Sequence, residues 1–229
     1  MKKWISRCGL GAMATVLMAL LWMATPAAAQ YGANTISLRT QCLSDDDLNI
    51  IRTIKSLKRA TKVGDPDLPF NPDYLLGTWH MDWINSEVPW SSAGENTGTA
   101  TFKYIENCNY EGAIDATGPD GKYTVKIQIL WRPREKHLTW IETDSRGFTM
   151  IREGDVGGHG PDSQQFDYLW EAMPFTFKGK LIRATGSMFI TSPTRARQDV
   201  VISVDGVAQR LGAPTLDRDP SQVPPDRKP

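Results

Sequence analysis

His80 and Asp82 stand two residues apart in "LLGTWHMDW" (75–83), and a histidine near a carboxylate is the residue pair of a general base. Three further charges invite binding rather than catalysis. Glu142 falls in phase with Trp140, Arg152 with Met150 and Arg183 with Leu181, in runs where alternate residues are apolar. If the apolar residues face an interior, these charges face it too, and a buried charge needs a partner or a charged ligand group. Arg152 or Arg183 would then anchor a carboxylate or other anionic head group while aromatic side chains hold an apolar body. The competing reading places each at a strand end, facing water. His159, with Asp155 and Asp162 in the glycine-rich "GDVGGHGPDS" (154–163), has the donor types for a divalent ion. Its spacing fits no defined metal motif, and a turn is the better reading. The chain has no Gly-x-Ser-x-Gly, no cysteine beside a base and no Walker-type phosphate loop. No catalytic residue, metal site or cofactor is assigned on these grounds.

The elements that would position these residues are legible. Lys2, Lys3 and Arg7 precede an apolar run from Cys8 to Ala24, and Ala27-Ala28-Ala29 offers a small-residue cleavage site before Gln30. Residues 1–29 therefore read as an export signal, with a mature chain in the periplasm or secreted. The alternative, an uncleaved anchor, has an apolar core shorter than the ~20 residues of a usual span. Without these three cations, the 26 basic side chains fall slightly below the 26 acidic ones. Such balance leaves no electrostatic footprint for nucleic acid or an anionic membrane. No second stretch is long and apolar enough to span a bilayer. Cys42 and Cys108 remain after cleavage, an even count in an oxidising compartment, and stand either as a disulfide or as two thiols.

Residues 30–73 hold a helix and a connector. In "SDDDLNIIRTIKSLKRA" (44–60), Ser44 and Asp47 make a capping-box pattern, and Leu48, Ile51, Ile54 and Leu57 recur at helical spacing. "GDPDLPFNP" (64–72) is the connector. From Tyr74 to Val207 the period becomes two. Strand-like runs cover 75–85, 98–106, 109–117, 123–131, 137–143, 147–152, 165–173, 175–177, 180–190 and 198–204. Asp120-Gly121 in "TGPDGKY" and Lys178-Gly179 in "FKGKL" mark hairpins. About ten short-connected strands without interleaved helices predict a mainly β fold, an up-and-down antiparallel barrel, since closure removes exposed edges. An open sandwich is the alternative. Residues 208–229, with Pro214, Pro220, Pro224, Pro225 and Pro229 among charges, read as a disordered tail.

"LLGTWHMDW" after a helix, at the head of such a meander, resembles the Gly-x-Trp start of calycin barrels: lipocalins, fatty-acid-binding proteins and nitrobindin-type barrels. The segments "AGENTGTATF", "YEG", "TGPDGKYT", "DSRGF", "GGHG" and "YLWE" look closest to a secreted bacterial lipocalin-like family with no settled function. The resemblance covers roughly 74 to 205 and implies that Gly77 and Trp79 pack at the closed end. It brings no catalytic residues. Nitrobindin-type barrels ligate haem through a late histidine, and this chain has none after His159. Haem would therefore need His137 or His159.

Within "LLGTWHMDW" itself, Gly77, Trp79, Met81 and Trp83 share one apolar face, which leaves Thr78, His80 and Asp82 on the other. His80 and Asp82 are thus expected in solvent or against the helix. The same alternation assigns to the lumen Phe102, Tyr104, Tyr110, Ile127, Ile129, Trp131, Leu138, Trp140, Phe148, Met150, Phe166, Tyr168 and Trp170. Ligand contacts are expected from Trp83, Tyr104, Trp131, Trp140, Glu142, Arg152, Tyr168, Trp170 and Arg183. The expected activity is lumenal binding of a small hydrophobic or amphipathic molecule. Two alternatives stay open. One is an isomerase, cyclase or hydrolase using Glu142 or Glu171 with Tyr104 or Tyr168. The other is a filled barrel acting as an interaction module.

Overall fold

Every second residue from Tyr123 to Trp131 is apolar, and a pleated strand puts all five on one face. A computed structural model of the chain describes residues 42–46, 48–49, 75–157, 166–192 and 194–222. In it Tyr123, Val125, Ile127, Ile129 and Trp131 are buried and the residues between them exposed. The same logic runs through β1 (Gly77–Asn85), β2 (Gly94–Tyr104), β3 (Asn109–Gly118), β4 (Gly121–Arg132), β5 (His137–Asp144) and β6 (Phe148–Gly157). The remaining strands are β7 (Phe166–Ala172), β8 (Phe175–Phe177), β9 (Lys180–Ser192), β10 (Arg195–Val204), β11 (Val207–Gly212) and β12 (Thr215–Asp217).

Neighbours pair antiparallel from β1 to β7; β7 then pairs with β9, β9 with β10, β10 with β12, and β12 with β1. The ring is closed, the ten-strand up-and-down antiparallel barrel expected from the alternation. Its membership differs from expectation in two places. β7 and β8 lie along the same edge of β9, Glu171 opposite Thr185 and Phe175 opposite Ile182, so 175–177 continues one stave rather than adding another. β11 and β12 likewise lie along one edge of β10. The stave breaks at Pro214, which has no N–H for a ladder and whose carbonyl accepts from Gln198 N at 2.8 Å.

The expected tail from 208 is therefore corrected: β11 and β12 supply the last stave. Asp205 and Gly206, at φ 50° and 89°, make the tight turn that folds the chain back on β10, and Leu216 is buried at its far end. Proline content argued for disorder, but a turn and a long-range pairing decided the outcome. Residues 223–229 lie outside the described residues. So do the signal segment, the connector and most of the helix expected over 44–60. Its first turn is described, with Leu48 N donating to Ser44 O at 3.0 Å.

One end of the barrel is closed by packing. Trp79 is fully buried, donates Nε1–H to Leu75 O at 2.8 Å and lies under the Arg218 guanidinium, 4.2 Å from its ring centroid. Arg218 Nη1 donates to Leu76 O at 2.8 Å, which ties the chain after β12 to the start of β1. Gly77 takes φ +106°, a conformation that favours glycine. Cys42 and Cys108 form a disulfide, Cα atoms 5.4 Å apart, and Trp131 Nε1 donates to Cys42 O at 2.8 Å. Gly77 opens β1, and Trp79 follows on its inward face.

Candidate functional site

The other end carries the cavity. Between β1 and β2 the chain makes a loop, 86–93, in which Val88 and Ser91 exchange backbone hydrogen bonds of 2.9 and 3.1 Å. Trp90 on this loop is buried against Phe148 of β6 and Phe175 and Phe177 of β8, ring centroids 4.8, 6.2 and 6.0 Å away. β6 stands five places round from β1 in the ring of ten, so the loop crosses the mouth. Its far limb is pinned by Asp120 in the β3–β4 turn, which accepts Ser92 N–H and Ser92 Oγ–H, both at 2.7 Å. These bonds hold the Asp120 carboxyl below its ordinary value of 3.8. Lys178 Nζ donates to Pro89 O at 3.3 Å. Beneath the loop, Asn85 donates to Ser92 O at 2.9 Å, Asn96 donates to Asn85 Oδ1, and Tyr123 donates to Asn96 Oδ1 at 3.3 Å. Burial, partly offset by the Arg146 guanidinium, pushes the Tyr123 phenol up to about 12, so it remains a donor.

Under this strap lies a chamber of about 120 Å³. Its apolar wall comes from Met81, Trp83, Phe102, Ile114, Val125, Trp140 and Met150, all inward residues of β1 to β6. Its charged groups come in two closed pairs. Glu142 Oε2 accepts Arg152 Nη2 at 2.5 Å and its Oε1 accepts Trp140 Nε1 at 2.9 Å. Trp140 faces Arg152 across the β5–β6 ladder, which brings Glu142, two residues on, within reach of the guanidinium. Arg152 also stacks over Trp170, 4.5 Å from its centroid, and its Nη1 reaches Gln198 Oε1 at 3.5 Å. The Trp170 indole occupies space that Gly186 leaves: a Cβ there would lie 2.4 Å from Trp170 Cζ2. In the second pair Asp144 grips Arg146 with both oxygens, Nε at 2.9 Å and Nη2 at 2.6 Å, and Arg146 lies 3.6 Å over the Tyr123 ring.

Of the residues singled out in the sequence, Trp83, Trp140, Glu142 and Arg152 line the chamber. Trp170 is buried as the shelf for Arg152. Tyr104, Trp131 and Tyr168 lie elsewhere. Trp131 packs at the closed end beside Cys42, and half-buried Tyr104 meets Tyr110 edge-on at 5.4 Å. Tyr168 is buried with its hydroxyl donating to Leu138 O at 3.3 Å, and burial holds its phenol far above the ordinary range. The lower lumen is filled by these side chains, so inward phase alone did not make them ligand contacts. Arg183 is a correction: with Leu181 it is exposed, because Ile182 and Ala184 are the inward residues of β9. Among the enzyme candidates, Glu171 is exposed. His80 and Asp82 are exposed, as the phase of β1 implied. His137 pairs with exposed Asp155 at 3.0 Å, while His159 and Asp162 lie outside the described residues.

Sequence reading missed Trp90, Asp120, the Asp144–Arg146 pair, Gln198 and Arg218. Two signals were available. Asn85 shares the phase of Trp83, and Gln198 that of Val200 and Ile202, so each is a polar residue on a buried face. A lone tryptophan in a loop carries no period.

No protein-family model and no curated protein matches the chain by sequence. Among solved structures, Rv2717c from M. tuberculosis is similar at TM-score 0.54 and 16% identity, over 66% of this chain and 99% of that one. The S-type phycobiliprotein lyase CPES from Guillardia theta is similar at TM-score 0.42 and 8% identity, over 80% and 98%. A redesigned β-barrel, mFAP0, bound to DFHBI, reaches TM-score 0.37 at 17% identity, over 63% and 99%. At 16% identity the likeness to Rv2717c is one of fold alone, a calycin-like β-barrel.

Proposed function

We propose that this chain is an exported, lipocalin-like barrel that holds a small hydrophobic or amphipathic molecule in its lumen. The observation that carries the reading is the chamber: one end of the barrel is packed shut, and the other keeps an apolar cavity with a few buried polar groups under a pinned strap. Binding sites are concave, mostly apolar and furnished with a small number of placed polar groups. Volume sets the size of the occupant. A dry cavity of roughly 150 Å³ holds a benzene ring, so about 120 Å³ is the scale of a single-ring compound and not of an extended acyl chain. Export rests on the basic start, apolar run and Ala27-Ala28-Ala29 site of the first 29 residues.

Native mass spectrometry of residues 30–229, purified from the periplasm without detergent, tests this alongside an absorption spectrum. A retained small-molecule mass released by organic extraction is the expected result. A Soret band would replace the reading with a haem protein. A clean unliganded mass, with no uptake of single-ring probes, would overturn it.

A further inference from the structure

We infer that the chamber selects an uncharged ligand bearing a hydrogen-bond acceptor, and discriminates against carboxylates. The inference rests on the carrier reading and names its ligand class. Four charged side chains line the chamber, and the chain itself balances them: Glu142 with Arg152, Asp144 with Arg146. Both pairs are withdrawn from solvent. Side-chain exposure is 11% for Glu142 and 9% for Arg152, 4% for Asp144 and 23% for Arg146.

An incoming carboxylate would lose its hydration without meeting a free cation, and would sit beside Glu142 as a like charge. The apparent anion anchor, Arg152, is already neutralised. What the corner lacks is an acceptor. Arg152 Nε, without a partner among the described residues, is buried out of reach of the chamber, which leaves Gln198 as the donor that faces it. The neighbouring Gln198 amide donates to Met188 Sδ at 3.6 Å, a weak acceptor. A buried amide so weakly met is costly, and a ligand carbonyl or ether oxygen beside Gln198 would give it a stronger acceptor than the thioether. Trp83, Phe102 and Trp140 offer the ring body its walls. An uncharged aromatic carbonyl compound fits both demands.

The test compares three probes of one shape on mature protein, by calorimetry or ligand-observed NMR: acetophenone, benzoate and ethylbenzene. Acetophenone should bind at least tenfold more tightly than either of the others. Benzoate binding as well as acetophenone would overturn the charge selection, and ethylbenzene binding as well would overturn the acceptor. Either result leaves the carrier reading standing, whereas silence from all three removes that reading and this one together. Glu142→Gln, confirmed folded by circular dichroism, supplies a second arm. It leaves the Arg152 guanidinium without its carboxylate, so benzoate affinity should rise at least tenfold over wild type. No gain in a folded variant would refute charge balance as the basis of selection. If that variant does not fold, the wild-type comparison decides alone.

Discussion

Replacing Arg152 by methionine tests whether the chamber is dry. The substitution keeps a long flexible side chain over Trp170 but leaves Glu142, 11% exposed, with Trp140 Nε1 as its remaining donor. Stranding one member of a buried ion pair costs about 3–5 kcal/mol, against about 0–1 for a pair at the surface. Loss of the cation over the Trp170 face, 4.5 Å away, adds about 0.5–2 kcal/mol. Glu142→Gln alone strands the guanidinium and should cost a similar amount. The double variant removes both charges while the amide oxygen that replaces the carboxylate still accepts from Trp140 Nε1. It should recover at least about 2 kcal/mol of the summed losses. Urea unfolding followed by tryptophan fluorescence and circular dichroism measures all four corners of the cycle, with an unchanged denaturant slope as the check on comparability. At about 2–4 °C per kcal/mol for a chain of this size, Arg152→Met alone should lower Tm by about 10 °C. Single losses below about 1 kcal/mol with no coupling would show a solvated pair. The charge balance argued for the chamber would then have no basis.

The strap should respond to acid. Asp120 is held below its ordinary value of 3.8 by Ser92, so its contribution is present above that pH and lost as pH falls through the lowered value. Ligand exchange and Trp90 fluorescence should change below pH 3.8, and Asp120→Asn should bring the same change at neutral pH; an Asn variant with wild-type exchange kinetics would remove Asp120 as the latch. The Cys42–Cys108 bridge spans a sequence separation of 66, for which loop-closure entropy gives about 4 kcal/mol. The double serine variant should therefore melt about 10 °C lower, and a shift within a degree or two would contradict this. Gly186→Ala places a Cβ 2.4 Å from Trp170 Cζ2 and 2.5 Å from Asp199 O, so the indole under Arg152 must move. A loss of about 1–3 kcal/mol is expected in the same urea assay, and wild-type stability would refute the close packing.

The sequence by itself determined which chain segments are strands wherever alternation was strict or turn chemistry explicit. Tyr123 to Trp131 admitted one phase, and Asp120-Gly121 and Lys178-Gly179 turn as their residue types require. Where both phases hold apolar residues, the period is silent. In "KLIRATG", Leu181 competes with Ile182 and Ala184, and Arg183 was assigned inward on the wrong one. Proline and charge made 208–229 read as a tail, although Asp205-Gly206 carried a hairpin signal as clear as the two that were read. What tertiary structure alone decided is who meets whom. Leu216 closes the ring opposite Met81, Trp90 crosses to Phe148, and Gln198 reaches Arg152 from 46 residues away. The physical reason is the range of the signal. Alternation reports which side of its own strand a residue occupies. Register, closure and the course of a loop depend on contacts between segments whose order along the chain does not encode their distance. Glu142 and Arg152 were therefore legible as inward charges, and their mutual neutralisation, which sets what the chamber can hold, emerged only when β5 and β6 were laid side by side.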